Sequence, residues 1–181
     1  MLRYFLVMAA LIYSQKQVLF AHKIVPSSKE LRCAGSLLDK ELIAFGLHDM
    51  NGTFWHAVPA AGRQAIVYFF NHESHEKSDI LFDSLNRAYA AMQSLGIDFV
   101  MISTASLINL KGIVLKYKPL FPILHDLHKR VSNACQTMTS CNVTMFVNER
   151  GYVHKIVLGQ DVREHLAQIF LYSFLQSANI K

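Results

Sequence analysis

The stretch AIVYFFNHESHEKSDILFDSLNRAYAAMQSLGIDFVMIST, Ala65 to Thr104, limits the possible folds more than any other part of the chain. AIVYFF is an unbroken apolar run of β-branched and aromatic residues, the pattern of a strand buried on both faces. A polar loop follows, and then Leu81, Leu85, Ala88, Met92 and Leu95 recur at helical spacing and make one apolar stripe. Ser74 or Ser78 is placed to cap this helix, Glu76 or Asp79 to favour its first turn, and Gly96 to end it. IDFVMIS supplies a second buried strand. In a strand–loop–helix–strand unit the loop at the strand's carboxyl end is where chemistry usually sits. Here that loop reads Asn71-His72-Glu73-Ser74-His75-Glu76-Lys77-Ser78, without a cysteine.

The flanking sequence extends the unit. ELIAFGLHDMNGTFWHAVP contains two short strand-like pieces about Asn51-Gly52, a strong hairpin signal. SLINLKGIVLKYK predicts another helix, PILHD a short strand, and LHKRVSNAC a short helical turn. NVTMFVNERGYVHKIVL predicts two strands about Asn148-Glu149-Arg150-Gly151. A last helix is opened by Asp161 with Glu164 three residues on, its buried face formed by Val162, Leu166, Ile169, Phe170 and Phe174. The expected fold class is α/β: a mixed central sheet with helices on both faces and an N-terminal β-hairpin.

A chain of 181 residues that is 52% hydrophobic and 17% charged can bury a substantial core. The net charge of +5 is spread out and no basic run is interleaved with aromatics, so nucleic acid is not an expected partner. At the N-terminus, Arg3 precedes the apolar run Tyr4–Tyr13, too short to span a bilayer, and small residues follow at Ser14 and Ala21. Residues 1–21 are read as a signal peptide, 22–39 as a lead-in and 40–177 as the folded domain. The expected location is therefore outside the cytoplasm (secreted, periplasmic or in an endomembrane lumen), with no membrane segment after signal removal. Cys33, Cys135 and Cys141 are an odd set, which leaves room for one disulfide and a thiol. Asn51-Gly52-Thr53 and Asn142-Val143-Thr144 match the N-glycosylation sequon.

The phrases IAFGLHDMNGTFWHAVPAAGRQAIVYFF, LGIDFVMIST, KYKPLFPILHD and VTMFVNERGYV, in this order, resemble the thioredoxin fold in its peroxiredoxin-like (alkyl hydroperoxide reductase/thiol-specific antioxidant) form. The resemblance covers about residues 40–175 and implies redox or antioxidant activity toward a thiol or peroxide substrate. The same scaffold also serves exported thioredoxin-like reductases and copper-delivery proteins. At the family's P-x-x-x-T-x-x-C loop, Asn71 falls on the proline, His75 on the threonine and Ser78 on the peroxidatic cysteine. The peroxide-orienting arginine falls on Asn142. In a C-x-x-C reading the thiols fall on Ser74 and Lys77 and the cis-proline on Asn142; in a C-x-x-x-C reading they fall on Ser74 and Ser78.

A peroxidatic thiol works because it ionises near neutral pH beside a helix N-terminus and a cation. A serine hydroxyl has a far higher pKa and gives no sulfenic acid. The leading expectation is a degenerate peroxidase site in a redox-related or protein-binding module. Two alternatives stay open. Cys135 and Cys141 could form a disulfide or a relocated redox couple facing His75. His72, His75 and Glu76 could bind zinc or copper(II), with His125, His128 or Cys141 as a further ligand; otherwise no cofactor is expected. Phe54 and Trp55 are read as packing residues. His48, His56, His154 and His165 are read as surface residues, and Asp126 as the cap of the turn that follows it.

Overall fold

The structure, a computed structural model, describes residues 37–42, 45–56, 62–71, 78–135 and 141–179. Strands β1 (Gly46–His48) and β2 (Phe54–His56) form the expected hairpin. They are followed by β3 (Gln64–Phe70), α1 (Ser78–Ser94), β4 (Ile97–Ser103), α2 (Leu107–Tyr117), β5 (Ile123–His125) and α3 (Arg130–Ala134). The chain continues with β6 (Asn142–Val147), β7 (Val153–Gly159) and α4 (Val162–Asn179).

The main sheet has the order β5-β4-β3-β6-β7. β3 and β4, and β4 and β5, pair in parallel, whereas β6 runs antiparallel to both β3 and β7. Strand β3 alternates between two cores. Ile66, Tyr68 and Phe70 face α1, α2 and α4, while Ala65, Val67 and Phe69 face the other side with Val131 and Cys135 of the α3 region and Leu42. Because both faces are covered, the strand is apolar from Ala65 to Phe70 rather than alternating. Helices lie on both faces as expected, but unequally: three long ones on one side, and the five-residue α3 with Leu37, Leu42, Phe45 and Leu47 on the other.

Local signals fix most element ends. The Ser106 hydroxyl accepts from the Asn109 N–H and caps α2. Gly96, at φ 73°, ends the turn after α1 in a conformation that glycine adopts without strain. Asp161 opens α4, its carboxylate accepting from the Arg163 N–H at 3.1 Å. The Asp126 carboxylate accepts from the Arg130 N–H at 2.9 Å and from the Ser132 N–H and hydroxyl at 2.8 Å, the capping role read from the sequence.

Three expectations are corrected. His165 is not a surface residue: it is fully buried, in the stripe Val162, His165, Leu166, Ile169, Tyr172 and Ser173. Phe170 and Phe174, expected in that stripe, are only half-buried, because the helix presents His165 and Tyr172 to the sheet instead, where His165 is hydrogen-bonded to Thr144 of β6 and the Tyr172 hydroxyl donates to Gln64 of β3. Phe54 and Trp55 are exposed rather than packed in the core, since their hairpin forms a two-stranded sheet of its own beside β5.

Candidate functional site

The parallel register of β3, β4 and β5 places Phe70, Ser103 and His125 side by side at one edge of the sheet. Antiparallel β6 begins at that same edge, so Asn71 and Asn142 meet there, and the Asn142 Oδ1 accepts from the Asn71 N–H at 2.8 Å. These are the two positions that the resemblance assigns to the loop proline and the peroxide-orienting arginine. Here an amide side chain knits to the backbone at that point, and no cation is supplied by either residue.

Ser78 stands at the start of α1 and is buried, yet its hydroxyl has no hydrogen-bond partner. It is therefore not the helix cap that the sequence suggested. Next to it, the Asp79 carboxylate accepts from the Lys116 ammonium at 2.9 Å, and Lys116 also donates to the Tyr117 hydroxyl at 2.8 Å. Hydrogen bonding with the Tyr117 hydroxyl and with Lys116 holds Asp79 below the usual carboxylate range. Hydrogen bonds to the Tyr117 hydroxyl and to Asp79 raise Lys116. Lys116 is thus committed to a carboxylate at the exposed surface.

A buried hydroxyl without a partner loses its hydration and gains nothing in return, at a cost of about 1–3 kcal/mol. We therefore expect Ser78→Ala to leave stability unchanged or to raise it by about 1 kcal/mol. Urea unfolding at pH 7 checks this. A loss of more than about 1 kcal/mol would show that the hydroxyl has a partner in solution.

Both described cysteines are buried. Cys135 is buried at the C-terminal end of α3, in the core on the opposite side of the sheet from α1. Burial, and next the Asp126 charge, push its thiol up to about 11, away from the thiolate form. Cys141 is buried immediately before β6, at the edge that carries Asn142 and Asn71. No disulfide joins Cys135 to Cys141. The two thiols thus stand unjoined, one at the end of α3 and one at the start of β6.

His72, Glu73, Ser74, His75, Glu76 and Lys77 lie outside the described residues, as does Cys33. Among the described residues no group of three or more histidine, cysteine, aspartate or glutamate side chains is placed to hold a metal ion. His125 is half-buried with its Nε2 unpartnered, while His128 is exposed.

Sequence reasoning missed a buried polar pair. The Thr144 hydroxyl and His165 Nδ1 are 2.6 Å apart, and His165 Nε2 lies 3.0 Å from the Gly159 carbonyl oxygen. The carbonyl can only accept, so Nε2 carries the proton and Nδ1 accepts from Thr144. The Tyr68 ring meets the imidazole edge-on at 5.5 Å. The available signal was position: His165 falls three residues after Val162 and directly before Leu166, within the apolar stripe.

No protein-family model matches the sequence, and a search of curated proteins gives no significant match. Solved structures do match. The bacterioferritin comigratory protein of Xanthomonas campestris, described for alkyl peroxide reduction, superposes with a TM-score of 0.63 at 17% identity, over 74% of this chain and 92% of that one. The peroxidoxin BcpB of Mycobacterium tuberculosis gives 0.65 at 14% identity, over 80% and 98%. A putative thiol:disulfide interchange protein DsbE of Chlorobium tepidum gives 0.63 at 16%, over 75% and 98%. The likeness is one of fold: the chain has a thioredoxin-like α/β fold.

Proposed function

We propose that this chain is an exported, redox-related or binding module of the thioredoxin fold, without thiol-peroxidase turnover at the fold's usual position. The observation that carries the reading is Ser78. A buried hydroxyl with no partner stands at the start of α1, where the resemblance assigns the peroxidatic thiol. Asn142 at the arginine position and the high pKa of Cys135 support the same reading. Each removes one requirement of the mechanism: a nucleophile that ionises, a cation that favours the thiolate, or a second thiol ready to react. Export is supported by the leader pattern of residues 1–21 alone.

The test is peroxide consumption with a thiol reductant in excess, using hydrogen peroxide and an alkyl hydroperoxide. The wild-type chain and a variant with Cys33, Cys135 and Cys141 all changed to Ser are expected to consume both at the background rate. Turnover that is present in the wild type and lost in the variant would replace this reading with a relocated-thiol enzyme.

A further inference from the structure

We propose that Asn51, at the tip of the β1–β2 hairpin, accepts an N-linked glycan and that Asn142, in the second sequon, does not. The proposal rests on the export reading above, because the transfer occurs in the lumen of the secretory pathway. The sequence treats the two sequons alike; the structure separates them.

Asn142 is fully buried on β6, an internal strand between β3 and β7. Its Oδ1 accepts from the Asn71 N–H, and the sequon hydroxyl of Thr144 is paired with His165 inside the core. A sugar on the Asn142 side-chain nitrogen has no room unless β6 leaves the sheet. Asn51 is the opposite case. It is exposed, and among the described residues its side-chain amide makes no hydrogen bond. The turn is held instead by Asp49, which accepts from the Asn51 N–H at 2.8 Å, the Thr53 N–H at 2.9 Å and the Trp55 indole at 3.1 Å. The side chain that would carry the glycan is thus not needed for the turn. Gly52 completes the reversal at φ 81°, with open space where a side chain would stand.

A second observation lies beside the tip. Asn51 is on the rim of a cavity of about 240 Å³ whose lining includes Met50, Trp55, Tyr89, Pro119 and Leu120. Leu120 is 65% exposed and Trp55 37%, so a glycan rooted at Asn51 stands next to apolar surface that is otherwise open to water. In the transfer, the Asn51 amide nitrogen attacks the anomeric carbon of a lipid-pyrophosphate-linked oligosaccharide. The new C–N bond forms as the sugar's C–O bond to pyrophosphate breaks; the lipid pyrophosphate departs and the amide gives up one proton. No group changes oxidation state.

The experiment is translation of the full chain with endoplasmic-reticulum microsomes, read by endoglycosidase-sensitive mass and by peptide mapping. Two forms are compared, one with its own leader and one with a borrowed eukaryotic signal sequence before residue 22. The expected product carries one glycan on Asn51, and Asn51→Gln removes it while leaving the thermal melt unchanged. A glycan that appears only with the borrowed leader sinks the export reading and upholds the Asn51 acceptor. No glycan on Asn51 with the borrowed leader, or a glycan on Asn142 in protease-resistant folded protein, overturns the proposal.

Discussion

Phe82→Ala lowers the unfolding free energy by about 3–5 kcal/mol, the largest loss expected from any single truncation described in this chain. Phe82 is fully buried on α1. Its ring stacks on Tyr117 of α2 at 4.5 Å and 6°, lies parallel to Phe121 at 6.0 Å, and meets Phe70 of β3 edge-on at 5.8 Å. One side chain therefore ties the first long helix to the second, to the segment entering β5, and to the central strand. Its removal forfeits the transfer energy of the ring, leaves a cavity that these stiff aromatic neighbours fill poorly, and breaks ring pairs that are worth about 0.5–1.5 kcal/mol each. Domains of this size have total stabilities of about 5–15 kcal/mol, so the variant is left near the threshold of folding. Urea unfolding at pH 7 measures the change, and Phe82→Leu should recover more than half of the loss. A loss below about 1 kcal/mol in Phe82→Ala would mean that the aromatic cluster is not packed as described.

Acid destabilises the protein through His165. Burial pushes its pKa down to about 4, against an ordinary value of 6.5, and the hydrogen bond to the Gly159 carbonyl and the Asp161 charge offset only part of the shift. Above pH 6.5 the imidazole is neutral in both folded and unfolded chains, and its contribution is complete. Below 6.5 the unfolded chain takes up a proton that the folded chain refuses, and the loss grows by about 1.4 kcal/mol per pH unit until the folded pKa is reached near 4. The total is about 3 kcal/mol. The groups that face the ring are the Thr144 hydroxyl, the Gly159 carbonyl and the Tyr68 ring, with Asp161 the charge that acts on it. The Tyr68 hydroxyl is held protonated by burial. None of these can stabilise an imidazolium enough to reverse the sign. Unfolding free energies measured from pH 7.5 to 4.5 should show this slope in the wild type. They should show most of it removed in Thr144→Val/His165→Phe, which replaces both partners at once and orphans neither. The same slope in both proteins would contradict the assignment.

Much of the fold was legible because its signals are local. The continuous apolar run of β3, the 4-3-4-3 stripe of α1 and the Asn51-Gly52 turn each report on neighbours within a few residues. The polar interior was not legible in the same way. Thr144 and His165 are far apart in sequence, and only the packing of α4 against β6 makes their pairing visible. A histidine read alone defaults to the surface, and so the buried face of α4 was drawn through Phe170 and Phe174 instead of His165 and Tyr172. Trp55 and Phe54 misled for the opposite reason. Large aromatic rings suggest a core, but a three-residue strand in a separate hairpin has no second layer to cover it. At the candidate site, the start of a helix near Ser78 could be read from the sequence. The contact between Asn142 and Asn71 could not, because it depends on antiparallel β6 starting at the edge where parallel β3 ends.

Trapping of sulfenic acid measures most directly whether any thiol of this chain reacts with peroxide. The native chain is exposed to stoichiometric hydrogen peroxide in the presence of a dimedone-type reagent, and the intact mass is read with peptide mapping of Cys33, Cys135 and Cys141. The predicted result is a mass without adduct over minutes, with Cys135 modified only after unfolding in urea. Rapid stoichiometric labelling of any one of the three in the folded protein would contradict it and identify the thiol that performs the chemistry.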